Sequence, residues 1–352
     1  MIVWLRSAFY STVIAFAIYV ATKTAKKANL RVHVAPCNYS LFEGNSSTMS
    51  ANSSLLTAPS FVPADVFVDT YLRKTLKKAK VMLCSIMKNE ELYIDEWLEY
   101  HRYLGFERAH LFDNADNAST YLASLPAKYK GYVKVTHLPG LGKQFSAFQT
   151  CVKEGAKRNV WAAFIDIDEF IVLREHSDIK AFLHDVAPDG GSVVLNWNIM
   201  VSNGSLAYDS TPVVERFTLT SVEPNLHVKT IAYLPHVRRP NIHNTYLKKG
   251  HPTVDQHGCA VDPNSPFHPG NDREIAHINH YYTKSWEEFK LKRHRGFASN
   301  FKKNYLYEDD SEETMRRISA DYMRSNNASN AVQDTFARDF FLRNRAKRAL
   351  QI

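Results

Sequence analysis

Residues 81–114 have the sequence VMLCSIMKNEELYIDEWLEYHRYLGFERAHLFDN, and this stretch determines the expected fold class. The opening run, VMLCSIM, is apolar and bounded by charged residues, which predicts a buried strand. The following segment has apolar residues at helical spacing and stops at Gly105, which predicts an amphipathic helix. AHLFDN then predicts a second strand that ends in Asp113. The stretch therefore indicates a strand–helix–strand unit.

Strands and helices continue to alternate after this unit. YLASL and FSAFQTCVKEGAKR predict helices, GYVKVTHL predicts a strand, and WAAFIDIDEFIVL (residues 161–173) predicts a strand that runs into three acids. This alternation predicts an α/β fold with a doubly wound, mostly parallel sheet. Such sheets bind ligands beyond the carboxyl ends of their strands. The polar residues expected to meet at that edge are Asn89, Glu90, Asp113, Asp166 and Asp168.

The composition describes a globular protein and excludes several other classes. The chain has 352 residues, of which 45% are hydrophobic and only 13 are Gly and 14 Pro, so a collagen-like or low-complexity chain is excluded. No repeat of about twenty to fifty residues is visible, which excludes solenoids and propellers. The net charge of +8 suits an anionic ligand or a membrane surface. No RNA-binding signature or zinc-finger spacing is present, so we expect no nucleic-acid partner.

The four cysteines are too few and too scattered for a disulfide scaffold. Cys84 lies in the first predicted strand and Cys151 in a predicted helix, so both are expected to be small buried apolar residues. Cys37 and Cys259 could pair in an oxidising compartment.

The N-terminal segment predicts a membrane anchor. Residues 2–21 are mostly apolar with a single charge, Arg6, and are long enough to span a bilayer. A good cleavage site is missing, so residues 1–22 are interpreted as an uncleaved signal anchor and the polar, Ser-rich residues 23–78 as a stem. The lysines that follow the span favour a cytoplasmic domain by the positive-inside rule. Six Asn-x-Ser sequons favour the opposite, lumenal (type II) orientation, which we adopt: Asn38, Asn45, Asn52, Asn117, Asn203 and Asn327.

The acids within residues 161–173 predict a cation site. Asp166, Asp168 and Glu169 interrupt an apolar run, where a carboxylate is costly unless it is paired or bound to a cation. Strand alternation would place Asp166 and Asp168 on one face. Two such oxygen ligands suit Mg²⁺ or Mn²⁺, which could bridge to a ligand's diphosphate. The alternative interpretation is an ordinary cap and surface turn after a strand.

A second cluster of functional residue types lies at residues 275–296, IAHINHYYTKSWEEFKLKRHRG. An imidazole such as His280 can complete the shell of a cation, and the basic residues can neutralise phosphate. Ser285 is placed to cap a helix that begins just after Lys284. The alternative is a solvated basic helix with incidental histidines.

Three blocks, residues 86–120, 142–170 and 277–296, resemble glycosyltransferase family 92 and the related family-2-like transferases of the GT-A fold. The resemblance implies a nucleotide-sugar-binding α/β domain, a divalent cation (Mn²⁺ or Mg²⁺) and a type II Golgi membrane anchor. It also implies a hexosyltransferase that moves a sugar, galactose if the donor is UDP-galactose, to a glycan acceptor with inversion. We expect this domain at residues 79–304, followed by a peripheral helical region at residues 305–352.

The resemblance further implies roles for individual residues. Contacts to the base and ribose are implied for Asn89, Glu90 and Asp113, and contacts to the diphosphate for Lys284 and Arg295. The implied cation ligands are Asp168 and His280, with Asp166 near both ribose and cation.

Inversion requires a group that takes the acceptor's proton, and the loop GHPTVDQHG offers Asp255 for this role, with Glu215 and Asp262 as further candidates. On the acceptor side, the sequence matches the family pattern only loosely, at Trp197 and Gly204. Two other functions stay open on the sequence alone: a non-catalytic glycan-binding protein and a metal-dependent phosphoester hydrolase.

Overall fold

The computed structural model describes residues 74–222, 225–270, 272–296, 309–326 and 330–350. The predicted anchor at residues 1–22 and nearly all of the predicted stem lie outside the described residues. Within these described ranges, no helix has both the length and the apolar character needed to cross a bilayer.

The first half of the domain alternates strands and helices. Its elements are β1 (Lys80–Met87), α1 (Glu91–Tyr103), β2 (Arg108–Asp113), α2 (Thr120–Lys128), β3 (Val133–His137), α3 (Gln144–Gly155) and β4 (Val160–Phe164). This order confirms the α/β class predicted from the sequence.

The second half contains shorter elements and more irregular chain. They are β5 (Glu169–Leu173), α4 (Ile179–Val186), β6 (Ser192–Val201), α5 (Val213–Arg216), β7 (Leu219–Thr220), β8 (Val228–Tyr233), a 3₁₀ turn (Leu234–His236), β9 (Val237–Pro240), β10 (Thr245–Leu247), β11 (Thr253–Val254) and β12 (Ala276–His280). After them come α6 (Trp286–Arg295), α7 (Glu312–Ser325), β13 (Val332–Gln333) and α8 (Phe336–Ala349).

The central sheet is mixed, with a parallel half. Strands β3, β2, β1 and β4 lie side by side in that order and run parallel. Strand β8 pairs antiparallel with both β4 and β6. Strand β12 lies parallel to β6 and antiparallel to β5. The prediction of a largely parallel sheet is confirmed for β1 to β4, whereas the second half contains antiparallel pairs.

Residues 161–173 form two strands rather than the one strand predicted from their apolar run. Strand β4 pairs with β1 and β8, whereas β5 pairs with β12, and residues 165–168 connect the two without strand pairing. An apolar run marks burial but not the point where a chain leaves one strand ladder for another, so the sequence could not show this break.

Helix α1 holds β5 beside the parallel sheet. Its buried face includes Trp97 and Tyr100, whose polar atoms donate hydrogen bonds to the carbonyls of Glu169 (2.9 Å) and Ile171 (3.0 Å). The helix ends before Gly105, which has a φ of 93°, a conformation that glycine adopts without strain. The acids at the start of β5 are thus positioned by a helix that immediately follows β1.

The described part of the C-terminal region is helical, as expected, and each helix packs one narrow face against the domain. Phe341 of α8 is 2% exposed and its ring lies 6.3 Å from that of Tyr100. Tyr322 of α7 packs against Phe289 of α6, with 5.3 Å between the ring centroids. The charged sequence of this region concealed a narrow apolar stripe on each helix, which is enough for burial on one side.

Cys84 of β1 and Cys151 of α3 form a disulfide bond, with their Cα atoms 6.4 Å apart. The two residues are buried, as expected, but they are not the independent apolar residues that the sequence suggested. Periodicity cannot show that α3 crosses β1 at this position. Cys259 is also disulfide-bonded. Its expected partner, Cys37, lies outside the described residues.

Candidate functional site

The turn between β4 and β5 opens one side of a cleft. Ile165 and Ile167 are fully buried in the core, while the alternating residues Asp166 and Asp168 line the cleft. The cleft has a volume of about 190 Å³ and lies at the carboxyl ends of β1 and β4. Other residues that line it are Glu90, Gln144, Trp197, His243, His280, Tyr282, Lys292 and Arg295. The structure therefore brings both aspartates to one cleft, although a turn rather than a strand does so.

Asp166 is held by hydrogen bonds on both carboxylate oxygens. Oδ2 accepts from Lys229 Nζ at 2.7 Å and Oδ1 from Gln144 Nε2 at 2.9 Å. Its backbone N–H donates to Glu169 Oε2, also at 2.9 Å. About a third of the Asp166 side chain is exposed, so its oxygens can still accept from a ligand.

Lys229 and Glu169 form a buried support behind Asp166. The Lys229 Nζ lies 3.4 Å from Glu169 Oε2, and both side chains are buried. Burial lowers the pKa of Lys229, but Asp166 and Glu169 outweigh this effect and raise the pKa above its ordinary value. Burial raises the pKa of Glu169 to about 8, against the opposing charge of Lys229.

Asp168 is surrounded by positive charge. Its Oδ2 accepts from Lys292 Nζ at 2.5 Å and lies 4.0 Å from Lys284 Nζ, and its Oδ1 lies 3.5 Å from His280 Nε2. Burial opposes ionisation of Asp168, but Lys292 and His280 hold the pKa of this carboxyl well below its ordinary value. Asp168 is thus an ionised carboxylate at the floor of the cleft.

Helix α6 places two cations on the rim. Lys292 and Arg295 lie on the same face because they are three residues apart. Arg295 contacts Glu90 Oε1 at 2.5 Å and donates to the carbonyl of Asn89 at 3.3 Å. Glu90 is buried, and burial raises its pKa against the charge of Arg295.

The start of α6 is fixed by a capping box, as the sequence predicted. The N–H of Glu288 donates to the Ser285 hydroxyl and the Ser285 N–H donates to Glu288 Oε2. Arg216 donates two hydrogen bonds of 2.9 Å to the same carboxylate, and Tyr93 donates a third at 2.9 Å. These bonds hold the helix that carries Lys292 and Arg295.

Lys284 lies behind the cleft rather than on its surface. The residue is 3% exposed, and its ammonium lies 4.5 Å from the centre of the Tyr93 ring. Burial lowers the pKa of Lys284 to about 8, against the charge of Asp168. It therefore supports Asp168 from below, whereas Lys292 takes the cleft position that the resemblance implied for Lys284.

Three other predicted residues do not line the cleft. Asn89 is exposed and contacts a cleft residue only through its carbonyl, which accepts from Arg295. Asp113 is buried at the end of β2, where its oxygens accept from the backbone N–H groups of Ala115 and Ser119. Asp255 is 1% exposed, and its Oδ1 accepts from the backbone N–H groups of His257 and Cys259.

Asp255 is therefore not placed to take a proton from an acceptor bound in this cleft. The further candidates are also remote from it: Glu215 pairs with Arg345, and Asp262 caps the turn at Asn264.

Two residues at the floor of the cleft are of types that bind divalent cations, although Lys292 already donates to Asp168 Oδ2. Asp168 supplies carboxylate oxygens and His280 an imidazole, and both side chains are buried. In the part of the chain that the structure describes, no three His, Cys, Asp or Glu residues form a complete metal site. Mg²⁺ commonly binds through one or two carboxylates together with substrate phosphates. The residues present therefore fit a cation that the ligand helps to hold.

A second cleft of about 440 Å³ adjoins the first. Trp197, His280 and Tyr282 line both. The second cleft also includes His227 of the loop before β8 and Arg324 of α7. A cavity of about 910 Å³ lies at the opposite, amino-terminal edge of the parallel strands and contains none of the predicted site residues.

Two polar residues of the site were missed by the sequence analysis: Gln144, which lines the cleft, and Lys229, which lies behind Asp166. Lys229 carried a usable signal, because a lysine inside the apolar strand VKTIAY must find a buried partner. Lys292 stood among several basic residues, and nothing in a charge run identifies the one that faces inward.

The part of the chain that supplies Glu90, Gln144, Asp166, Asp168 and Trp197 to the cleft resembles a known family. Residues 80–231 match the family model of glycosyltransferase family 92. The resemblance to family 92 drawn from the three sequence blocks is therefore confirmed.

Individual relatives give the same result. Family 92 proteins of Ricinus communis and Oryza sativa subsp. japonica are each 23% identical to this chain, and one of Arabidopsis thaliana is 22% identical. Each match covers 63–64% of this chain and 36–39% of the relative, so the chain spans about two fifths of the length of these curated relatives.

Solved structures show weaker likeness. Staphylococcus aureus TarS, residues 1–349, is 13% identical, with a TM-score of 0.31 over 71% of this chain and 73% of that chain. The same residues of TarS in complex with UDP are 16% identical, with a TM-score of 0.29 over 44% and 47% of the two chains. TM-scores this low do not establish a common fold.

Proposed function

We propose that this protein is a glycosyltransferase that moves a sugar from a nucleotide-sugar donor to a glycan acceptor. The observation that carries the proposal is the cleft at the carboxyl ends of β1 and β4, where Asp166 and Asp168 face the cations Lys292 and Arg295. This cleft lies in and next to the region that matches family 92. We further propose that the domain is a GT-A fold and that residues 79–304 form it.

The cleft residues suit the departure of a nucleoside diphosphate. Negative charge grows on the diphosphate as the sugar leaves, and donors fixed in advance stabilise that charge most effectively. Lys292 and Arg295 are held on one face of α6, whose start is anchored by Glu288. When bound, Mg²⁺ or Mn²⁺ held by Asp168 and His280 supplies further positive charge to the diphosphate.

Asp166 and Glu90 are proposed to orient the nucleoside part of the donor. Asp166 keeps part of its carboxylate exposed while Lys229 and Gln144 hold it in place, so it can accept hydrogen bonds from ribose hydroxyls. Asn89 and Asp113 are then positioning residues. Asn89 accepts from Arg295 through its carbonyl, and Asp113 holds the loop that follows β2.

The proposed site of action is the lumen of the Golgi or another secretory compartment, with the chain anchored by residues 1–22 as a type II protein. The Cys84–Cys151 disulfide suits an oxidising compartment. Two of the sequons lie on the described surface, where Asn117 and Asn203 are exposed. Galactose as the sugar, UDP as its carrier and inversion at the anomeric carbon are proposed from the family resemblance.

A donor screen tests the proposal. The protein is incubated with UDP-, GDP- and CMP-sugars, with and without Mn²⁺, and thermal unfolding is followed. We expect one nucleotide sugar to raise the Tm, more so with Mn²⁺, and Asp168→Asn to abolish both this shift and sugar transfer. Binding of glycans without binding of any nucleotide sugar would instead identify a glycan-binding protein. Release of phosphate from simple esters would identify a hydrolase.

A further inference from the structure

The carboxylates that line the donor cleft are already engaged with cations. Glu90 contacts Arg295, Asp166 contacts Lys229, and Asp168 contacts Lys292. The proposed function assigns all three to the donor, Glu90 and Asp166 to the nucleoside and Asp168 to the cation. Inverting transfer nevertheless needs a base on the acceptor side of the sugar. The base must therefore be sought among the other cleft residues.

His243 is a cleft residue with a free ring nitrogen. Its Nδ1 lies 3.0 Å from the carbonyl oxygen of Val228, which can only accept, so Nδ1 carries the proton. In the neutral ring, Nε2 then carries the lone pair, and it makes no hydrogen bond to any residue that the structure describes. The backbone of β8 thus selects the tautomer that presents a base at Nε2.

The electrostatic surroundings keep the His243 ring neutral. Burial, followed by the charge of Lys229, lowers the pKa of His243 to about 4, against the carbonyl of Val228 and the charge of Asp166. The remaining titratable neighbour is His227, which lowers the pKa slightly further. The lone pair at Nε2 is consequently available throughout the neutral pH range.

His243 lines the first cleft and contacts two residues that line the second. Its ring packs edge-on against Trp197, with 5.4 Å between the centroids, and Trp197 lines both clefts. The ring of His227, which stacks on Trp197 and belongs to the second cleft, lies 5.5 Å from that of His243. A donor in the first cleft and an acceptor in the second would meet beside this ring.

We propose that His243 Nε2 is the base that deprotonates the acceptor hydroxyl, and that the second cleft holds the acceptor sugar. The inference rests on the proposed glycosyltransferase function. Nε2 takes the hydroxyl proton while the acceptor oxygen forms its bond to the anomeric carbon. The bond from that carbon to the diphosphate oxygen breaks, and its electron pair leaves with the nucleoside diphosphate. The imidazolium then returns its proton to water.

His243→Asn isolates this role, because the asparagine amide can still donate to the Val228 carbonyl while no group replaces Nε2. We expect kcat for transfer to fall about 10²- to 10⁴-fold, the usual contribution of a general base. The Kd for the nucleotide sugar, measured from the shift in Tm, should stay within about twofold of wild type, since His243 is not assigned to donor binding. His184→Asn, on the exposed surface of α4, is the matched control and should retain full activity.

Chemical rescue distinguishes a base from a structural residue. In His243→Gly, added imidazole should raise the transfer rate at least tenfold. A merely structural role would not allow this rescue. If wild type transfers sugar and His243→Asn does so equally fast, the base assignment is overturned while the proposed function stands. If wild type neither binds nucleotide sugars nor transfers them, the proposed function fails and the base assignment fails with it.

Discussion

Lys229 Nζ lies 2.7 Å from Asp166 Oδ2, although the two residues are 63 positions apart in the chain. Lys229 lies in β8, the strand that pairs antiparallel with β4, and Asp166 lies in the turn that follows β4. The antiparallel strand therefore delivers a buried ammonium to the edge where the parallel strands present their acids. This contact joins the two halves of the sheet at the site.

Removal of the Lys229 charge should destabilise the fold. Lys229→Met removes the buried ammonium that donates to Asp166, and loss of a hydrogen bond to a charged group typically costs about 1.5–3 kcal/mol. Urea unfolding measures this change. Lys180→Met, which removes an exposed lysine paired with Glu107, should change the free energy of unfolding by less than about 0.5 kcal/mol. Equal effects of the two substitutions would contradict the role assigned to Lys229.

Lys292 should matter for activity far more than its neighbour Lys290. Lys292 contacts Asp168 in the cleft, whereas Lys290 lies over the Trp286 ring outside it. We expect Lys292→Met to lower kcat/KM about 10²- to 10³-fold, as for loss of one preorganised donor. Lys290→Met should remain within about twofold of wild type. Steady-state kinetics with the donor identified by the screen decide this, and a similar loss in both variants would remove Lys292 from the proposed mechanism.

Glu96 should make stability depend on pH. Burial raises the pKa of Glu96 from 4.5 to about 7, against the N–H groups of Val213 and Val214 that donate to it. As the pH rises, the unfolded state therefore releases the proton of Glu96 at a lower pH than the folded state does. The stabilising contribution is complete below pH 4.5 and is lost as the pH rises towards 7.

Glu96→Gln removes this titration. Between pH 4.5 and 7, the free energy of unfolding of wild type should fall relative to that of the variant. Urea unfolding at several pH values in this range measures the difference, and parallel profiles for the two proteins would show that Glu96 does not titrate as stated.

The Cys84–Cys151 disulfide should contribute to stability mainly by restricting the unfolded chain. It joins residues 67 positions apart, for which loop-closure entropy predicts about 4 kcal/mol. The free energy of unfolding of the double variant Cys84→Ala, Cys151→Ala, measured by urea unfolding, should be lower by about that amount. Peptide mapping without reduction should recover the two cysteines in one linked species. Free thiols at both positions would contradict this pairing.

Much of the first half of the fold could be predicted from local sequence. Three such signals are local, because each depends on residues only a few positions apart: the apolar run of β1, the periodic apolar residues of α1 and the glycine at position 105. The capping box at Ser285 is equally local, because both of its hydrogen bonds join residues three positions apart. The parallel direction of the strands in this half was also correctly predicted, because strands joined by helices run parallel to one another.

The partners of the site acids could not be predicted in the same way. The acids themselves are visible because they interrupt an apolar run, but their cations come from β8 and α6, which lie 63 and 124 positions further along the chain. Asp255 shows the reverse error: its loop looked suitable for catalysis, yet the residue is 1% exposed, does not line the cleft, and its Oδ1 accepts from two backbone N–H groups. Local composition does not distinguish an acid that caps a turn from one that faces a ligand.

By itself, the amino-acid sequence determined the α/β class, the alternation of the first strands and helices, the resemblance to family 92 and the presence of Asp166 and Asp168 at a strand end. These properties follow from short-range periodicity and from residues that burial would penalise without a partner. Only the tertiary structure decided that Lys229 and Lys292 engage those aspartates, that Cys84 is bonded to Cys151 and that His243 lines the cleft beside Trp197. Such contacts depend on how strands and helices distant in sequence pack, and charge and burial then act across space rather than along the chain.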